Sequence, residues 1–91
     1  MKISYDPDKR ARTLAERGLD FEDADDVFAG ETIDFIDDRH DYGEVRWLSF
    51  GRLRRRLVVI VWTSRGDVRQ IISMRKCNGR EQEKYGRQLG S

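Results

Sequence analysis

Six consecutive apolar residues, Leu57-Val58-Val59-Ile60-Val61-Trp62, narrow what this chain can become more than any other stretch. A strand with one wet face alternates apolar and polar side chains; this run does not, so it reads as a central strand covered on both faces. Its neighbours do alternate. Val45 to Phe50 sets Arg46, Leu48 and Phe50 on one side and Val45, Trp47 and Ser49 on the other. In Arg69 to Lys76, strict alternation sends Gln70, Ile72 and Met74 to a core face and Arg69, Ile71, Ser73 and Arg75 to the opposite one. The connections are short: Gly51 through Arg56 reads as a hairpin loop loaded with Arg52, Arg54, Arg55 and Arg56, and Thr63 to Asp67 turns the chain back.

Ahead of these strands the pattern is helical. Ile3 and Tyr5 mark a short first strand; Asp6-Pro7 stops it and opens a helix, with Asp6 as N-cap and Pro7 where a missing N–H costs nothing. That helix runs to about Arg17 and ends at Gly18. Asp20 caps a second helix with Phe21, Ala24, Val27 and Phe28 as its buried stripe and Leu19 stapled to Ala24, and Gly30 ends it. The acids Glu22, Asp23, Asp25 and Asp26 in its first turns favour the helix dipole and read as a solvated face. Thr32 to Asp37 is a strand, Asp37 to Gly43 a polar turn, and a last helix begins near Arg80, with Glu81, Lys84 and Tyr85 on one side. The expected fold is α+β in the order β-α-α-β-β-β-β-α: an antiparallel sheet, two N-terminal helices packed on one face, a C-terminal helix, and the other face partly open and lined with Arg.

Ninety-one residues suit a single domain, 1–91, with room for one packed core. The net charge of +1 conceals a division. Residues 1–45 hold six Lys or Arg and fourteen Asp or Glu; residues 46–91 hold twelve and three, most of the cations being Arg. Guanidiniums match phosphate and planar anions, so the basic half points to nucleic acid or an acidic protein, or to attraction between the halves within one fold. The single Cys77 gives no disulfide framework and no thiolate metal site, and fits a reducing compartment. No apolar run is long enough to span a bilayer and no secretory h-region opens the chain, so the expected location is cytoplasmic.

Phosphate-binding glycine loops, a nucleophile elbow and a metalloprotease helix are absent, and His40 with Asp37, Asp38 and Asp41 is too loosely spaced for a metal site. No metal or cofactor is expected. What remains is Glu44, Arg46, Arg69, Ser73, Arg75, Lys76 and Tyr85, which pairing of the strands could gather. RNA cleavage needs a 2′-hydroxyl deprotonated, a phosphorane stabilised and a leaving oxygen protonated. Arg and Lys serve the second step electrostatically, and a carboxylate or Tyr can move protons. The same residues suit a non-enzymatic subunit that binds nucleic acid or protein.

The segments Tyr5-Asp6-Pro7-Asp8-Lys9, Gly18-Leu19-Asp20-Phe21 with Ala24 and Val27-Phe28, Asp41-Tyr42-Gly43-Glu44-Val45-Arg46, and Arg69 to Lys76 with Glu81 and Tyr85 resemble, in order and spacing, the BrnT toxin family. The resemblance implies a RelE-like fold and a metal-independent ribonuclease that halts translation. It further implies a type II toxin–antitoxin pair with a cognate BrnA-like antitoxin carrying a ribbon-helix-helix domain, through which alone the complex contacts operator DNA. Carried over by position, Glu44, Arg46, Arg75 and Tyr85 are the candidate catalytic residues, and Lys9, Arg17, Arg69, Ser73 and Lys76 the candidate substrate-binding ones. Such sequences often carry Lys-His-Gly at the end of the first helix and an Asn earlier in it; here Glu16-Arg17-Gly18 and Thr13 stand there. Arg17 can hold phosphate but does not exchange protons near neutral pH. A toxin that keeps only antitoxin binding is the corresponding alternative.

Overall fold

The computed structural model describes residues 1–90. The chain runs β1 (Lys2–Tyr5), α1 (Pro7–Arg17), a 3-10 turn (Phe21–Asp23), α2 (Ala24–Ala29), β2 (Ile33–Ile36), β3 (Arg46–Leu53), β4 (Arg56–Arg65), β5 (Val68–Lys76) and α3 (Gly79–Tyr85). The strands form one sheet in the order β1-β5-β4-β3-β2, so the apolar run lies on the middle strand, as its sequence requires. The class is α+β, but the sheet is mixed. β2 to β5 pair antiparallel through short turns, whereas β1, separated from β5 by the rest of the chain, pairs parallel to it. Short-turn reasoning governs only sequential strands, and β1 lies outside its reach. The helix expected from Asp20 is also split: Asp20 caps the 3-10 turn, and α2 is only a short continuation.

Alternating residues of β4 divide between two faces. Val58, Ile60 and Trp62 pack with Leu19, Phe21, Ala24, Val27, Ile71 and Met74 beneath the N-terminal helices. Leu57 and Val59 join Phe50 and Cys77 on the other face, under Tyr85 and Leu89. The expectation of a single core is thereby corrected: the central strand needs cover above and below, and α3 supplies a second, smaller cluster. Each fully buried Phe, Ile or Val here contributes roughly 1.5–3 kcal/mol. The buried Ser49 is satisfied, because its hydroxyl donates to Asp34 Oδ1 at 2.6 Å and accepts from Trp62 Nε1 at 2.8 Å.

Two local readings change. Gly51 does not open a loop. A Cβ there would lie 2.7 Å from Val27 Cγ1, so glycine lets α2 approach the sheet, and β3 continues to Leu53, leaving Arg54-Arg55 as the whole turn. In β5 the register passes from Val61–Ser73 to Trp62–Ile71, so Ile72 is an unpaired bulge residue. The bulge resets the alternation: Ile71 and Met74 both enter the main core, Arg69 lies on their face, and Gln70, Ser73 and Arg75 lie on the other. No helix among the described residues is long and apolar enough to cross a membrane.

Candidate functional site

The second sheet face, part of which α3 leaves uncovered, is organised in cross-strand rows. Arg46 pairs with Thr63 and Thr63 with Gln70; next come Leu48, Val61 and Ser73; then Phe50, Val59 and Arg75. Arg46 and Arg75 therefore occupy diagonal corners, roughly 17 Å apart at their Cα atoms from the strand spacing and rise, with Val61 at the centre of the diagonal and Ser73 beside it on β5.

Arg46 is held by the β2–β3 connection. Asp37 is buried and receives Arg39 at 2.7 and 2.8 Å, and the Tyr42 hydroxyl donates to it at 3.3 Å. The Arg39 guanidinium drives the Asp37 carboxyl down to about 2. Tyr42, fixed in this way, lies under the Arg46 guanidinium at 4.0 Å. Glu44 stands 3.5 Å from Arg46 Nε and 3.4 Å from Arg65. The Arg46 Nε is buried without a hydrogen-bond acceptor, while stacking keeps the guanidinium planar beside the open face.

At the opposite corner Arg75 makes a two-point pair with Glu81, which raises the Arg75 pKa and lowers that of Glu81. Tyr85 packs its ring on Phe50 at 4.3 Å and on Phe35 at 5.7 Å, half-buried at the lip of α3. A carboxylate and a phenol thus stand at opposite ends of a surface carrying two guanidiniums and a hydroxyl. Such a set can neutralise a phosphate and offers groups for moving protons.

The other candidates lie elsewhere. Beyond Ile71 the outer edge of β5 has no strand neighbour, and α1 covers it: Lys9 Nζ reaches the Ile72 carbonyl at 3.4 Å and Arg17 Nη1 the Met74 carbonyl at 3.0 Å. These cations block edge-to-edge pairing. They also line, with Arg12 and Ser73, a groove of about 240 Å³ that meets the open face at Ser73. Arg69 and Lys76 do not join it. Arg69 is held on the helix-covered face, its guanidinium 3.9 Å from the Phe28 ring centroid and 5.0 Å from that of Trp62. Lys76, opposite Val58, borders a recess with Leu19, Asp23 and Arg54. The expected convergence of Arg46, Arg75 and Lys76 on one side is corrected for Lys76, which follows Arg75 in the strand and so shares the face of Met74; the bulge at Ile72 is what separates Arg69 from Ser73 and Arg75. Sequence reasoning missed Arg12, Tyr42 and the pairing of Arg75 with Glu81. The Asn78-x-x-Glu81 capping spacing was the available signal for Glu81.

His40 is exposed and touches only Tyr42 among aromatic rings, edge-on at 5.7 Å. Cys77 is buried, and burial pushes its thiol up to about 11, which keeps it unreactive.

No curated protein matches the chain. A family model does: residues 5–81 match the family described as "Ribonuclease toxin, BrnT, of type II toxin-antitoxin system". That span holds both N-terminal helices, all but the start of the sheet, and every candidate residue except Tyr85. With most of its length inside the match, the chain belongs to the BrnT family of ribonuclease toxins of type II toxin–antitoxin systems.

Proposed function

We propose that this protein is a metal-independent endoribonuclease that halts translation in the cytoplasm, and that the uncovered half of its sheet is where RNA is cut. The observation that carries this reading is the diagonal placement of Arg46 and Arg75 on one sheet face, joined at Ser73 to the Lys9, Arg12 and Arg17 groove. In the proposed reaction Glu44 takes the 2′-hydroxyl proton, Arg46 and Arg75 stabilise the phosphorane, and Tyr85 protonates the departing 5′ oxygen. Lys9, Arg17 and Ser73 hold the flanking phosphates. Arg69 and Lys76 act at most indirectly, given the faces they occupy.

The antitoxin of this reading has a ribbon-helix-helix domain, carries the complex to operator DNA, and inhibits by covering the same cations with carboxylates. Incubating the purified protein with total RNA, with and without chelator, tests the enzyme. Chelator-resistant fragments are expected, together with growth arrest when the chain is expressed alone.

A second reading, a toxin reduced to antitoxin binding, draws on two features. Arg17 stands where a His is frequent in such sequences, and both corner guanidiniums are already ion-paired. Intact RNA under every condition, with binding of the cognate antitoxin retained, would establish it.

A further inference from the structure

The arginines of the β3–β4 hairpin play no part in the site above, yet their backbone is built at a cost. The turn has two central residues, Arg54 and Arg55, with φ of 49° and 76°. Two-residue hairpin turns with both central φ positive favour Asn-Gly, because a β-carbon is strained there. Two successive arginines are a poor choice for folding, so a benefit outside folding is implied.

The surroundings hold the turn rigidly. Arg52 donates to three carbonyls: Nε to Gly90 at 2.8 Å, Nη1 to Arg55 at 2.9 Å and Nη2 to Gly86 at 3.1 Å. It clamps the turn to the segment after α3. Arg54 reaches Asp23 at 3.3 Å. Arg55 and Arg56 are exposed and, among the described residues, pair with no carboxylate. Together the four arginines border a recess of about 540 Å³ whose floor includes the buried Leu57 and Cys77. The recess offers guanidiniums and little accessible apolar surface. A protein partner would lack the apolar anchors that carry affinity, whereas a phosphate backbone needs only fixed cations.

We propose that this hairpin tip is a second RNA contact, a sequence-independent grip on the phosphates of single-stranded RNA lying beyond the cleaved bond. It deepens the nuclease reading and rests on it for its role, though not for its existence. The tip lies about 20 Å along the strands from the row of Leu48, Val61 and Ser73, so a substrate with one phosphodiester cannot reach both places.

The test uses the full chain and a labelled 20-nucleotide single-stranded RNA made uncleavable by 2′-O-methylation, with Kd measured over a salt series. Arg55→Ala/Arg56→Ala should weaken binding about tenfold at low salt and flatten the slope of log K against log salt by about 1.4, for two lost phosphate contacts. Cleavage of a dinucleotide should be unchanged. As a control on folding, Arg54→Asn/Arg55→Gly should raise Tm while still weakening RNA binding.

Unchanged Kd and slope in both variants would overturn the grip. So would tighter binding of poly-glutamate than of RNA, lost in the same variants, which would mark a site for an acidic protein. A wild-type protein that cuts no RNA but loses affinity on Arg55→Ala/Arg56→Ala would keep the grip and remove the nuclease reading.

Discussion

The Arg75 guanidinium and the Glu81 carboxylate face each other in a two-point pair, Nη1 to Oε1 at 2.8 Å and Nη2 to Oε2 at 2.9 Å. The same carboxylate accepts the Asn78 N–H at 2.9 Å, while the Glu81 N–H donates to Asn78 Oδ1 at 2.8 Å. One side chain therefore starts α3 and fixes a corner of the open face. Its pairing with Arg75, then the Asn78 N–H, lowers the Glu81 carboxyl from an ordinary 4.5. A depressed folded pKa contributes stability that is complete above the unfolded value and fades as pH falls through the folded one. Glu81→Gln should cost about 1 kcal/mol at neutral pH, a cost that shrinks below pH 4.5. Urea denaturation across pH measures it, and a constant cost would show that charge is not the cause.

Asp37 gives a deeper acid limb. Its carboxyl falls from 3.8 to about 2, chiefly through Arg39. The linked stability is present in full above pH 3.8 and lost as pH falls towards 2. With the exposed Arg39 end screened by water, about 1–2 kcal/mol is expected to disappear in Asp37→Asn at neutral pH. Thermal melts of the two proteins should converge near the acid end of that window.

Gly51→Ala places a methyl 2.7 Å from Val27 Cγ1 and 3.2 Å from Thr32 Cγ2. Overpacking of this kind should cost about 1–3 kcal/mol. In a double-mutant cycle with Val27→Ala the combined loss should fall short of the two single losses added together, because the second change makes the space that the first demands. Strict additivity in denaturant titrations would show that the two side chains do not meet.

These contacts show where local pattern reading succeeds. Leu57 to Trp62 declares its place because burial on both faces leaves a signature in consecutive residues, and Asp6-Pro7 with Gly18 declares a helix because caps are local chemistry. Gly51 misleads because a glycine for close approach and a glycine for turning are the same letter. Ile72 misleads because a bulge depends on the partner strand's register, and a single slip put Arg69 and Ile71 on the face opposite the one that alternation gave them. Arg46 and Arg75 could be named from pattern, but Tyr42 under one and Glu81 against the other are tertiary facts.

For Arg46, stacking on Tyr42 makes the planar group part of its role. Under the nuclease reading, Arg46→Ala should lower RNA cleavage by about 10²-fold, and Arg46→Lys should recover little of it, since an ammonium neither stacks nor forks. Arg46→Ala/Arg75→Ala should relieve growth arrest in cells while circular dichroism stays native. Persistent toxicity of the double variant would remove both residues from the mechanism.

Tyr85 separates packing from chemistry, because its ring and its hydroxyl do different things. The ring fills the second cluster against Phe50 and Phe35, and the residue is half-buried at the end of α3. Tyr85→Phe keeps the ring, so stability should stay within about 0.5 kcal/mol. If the hydroxyl delivers the proton to the leaving oxygen, cleavage should fall by about 10²-fold or more. A leaving group that needs no proton, such as a nitrophenolate ester of a nucleoside 3′-phosphate, should restore the rate of the Phe variant to near that of wild type. A Phe variant as active as wild type on ordinary RNA would confine Tyr85 to packing and leave the donor to be found among the other groups of the open face.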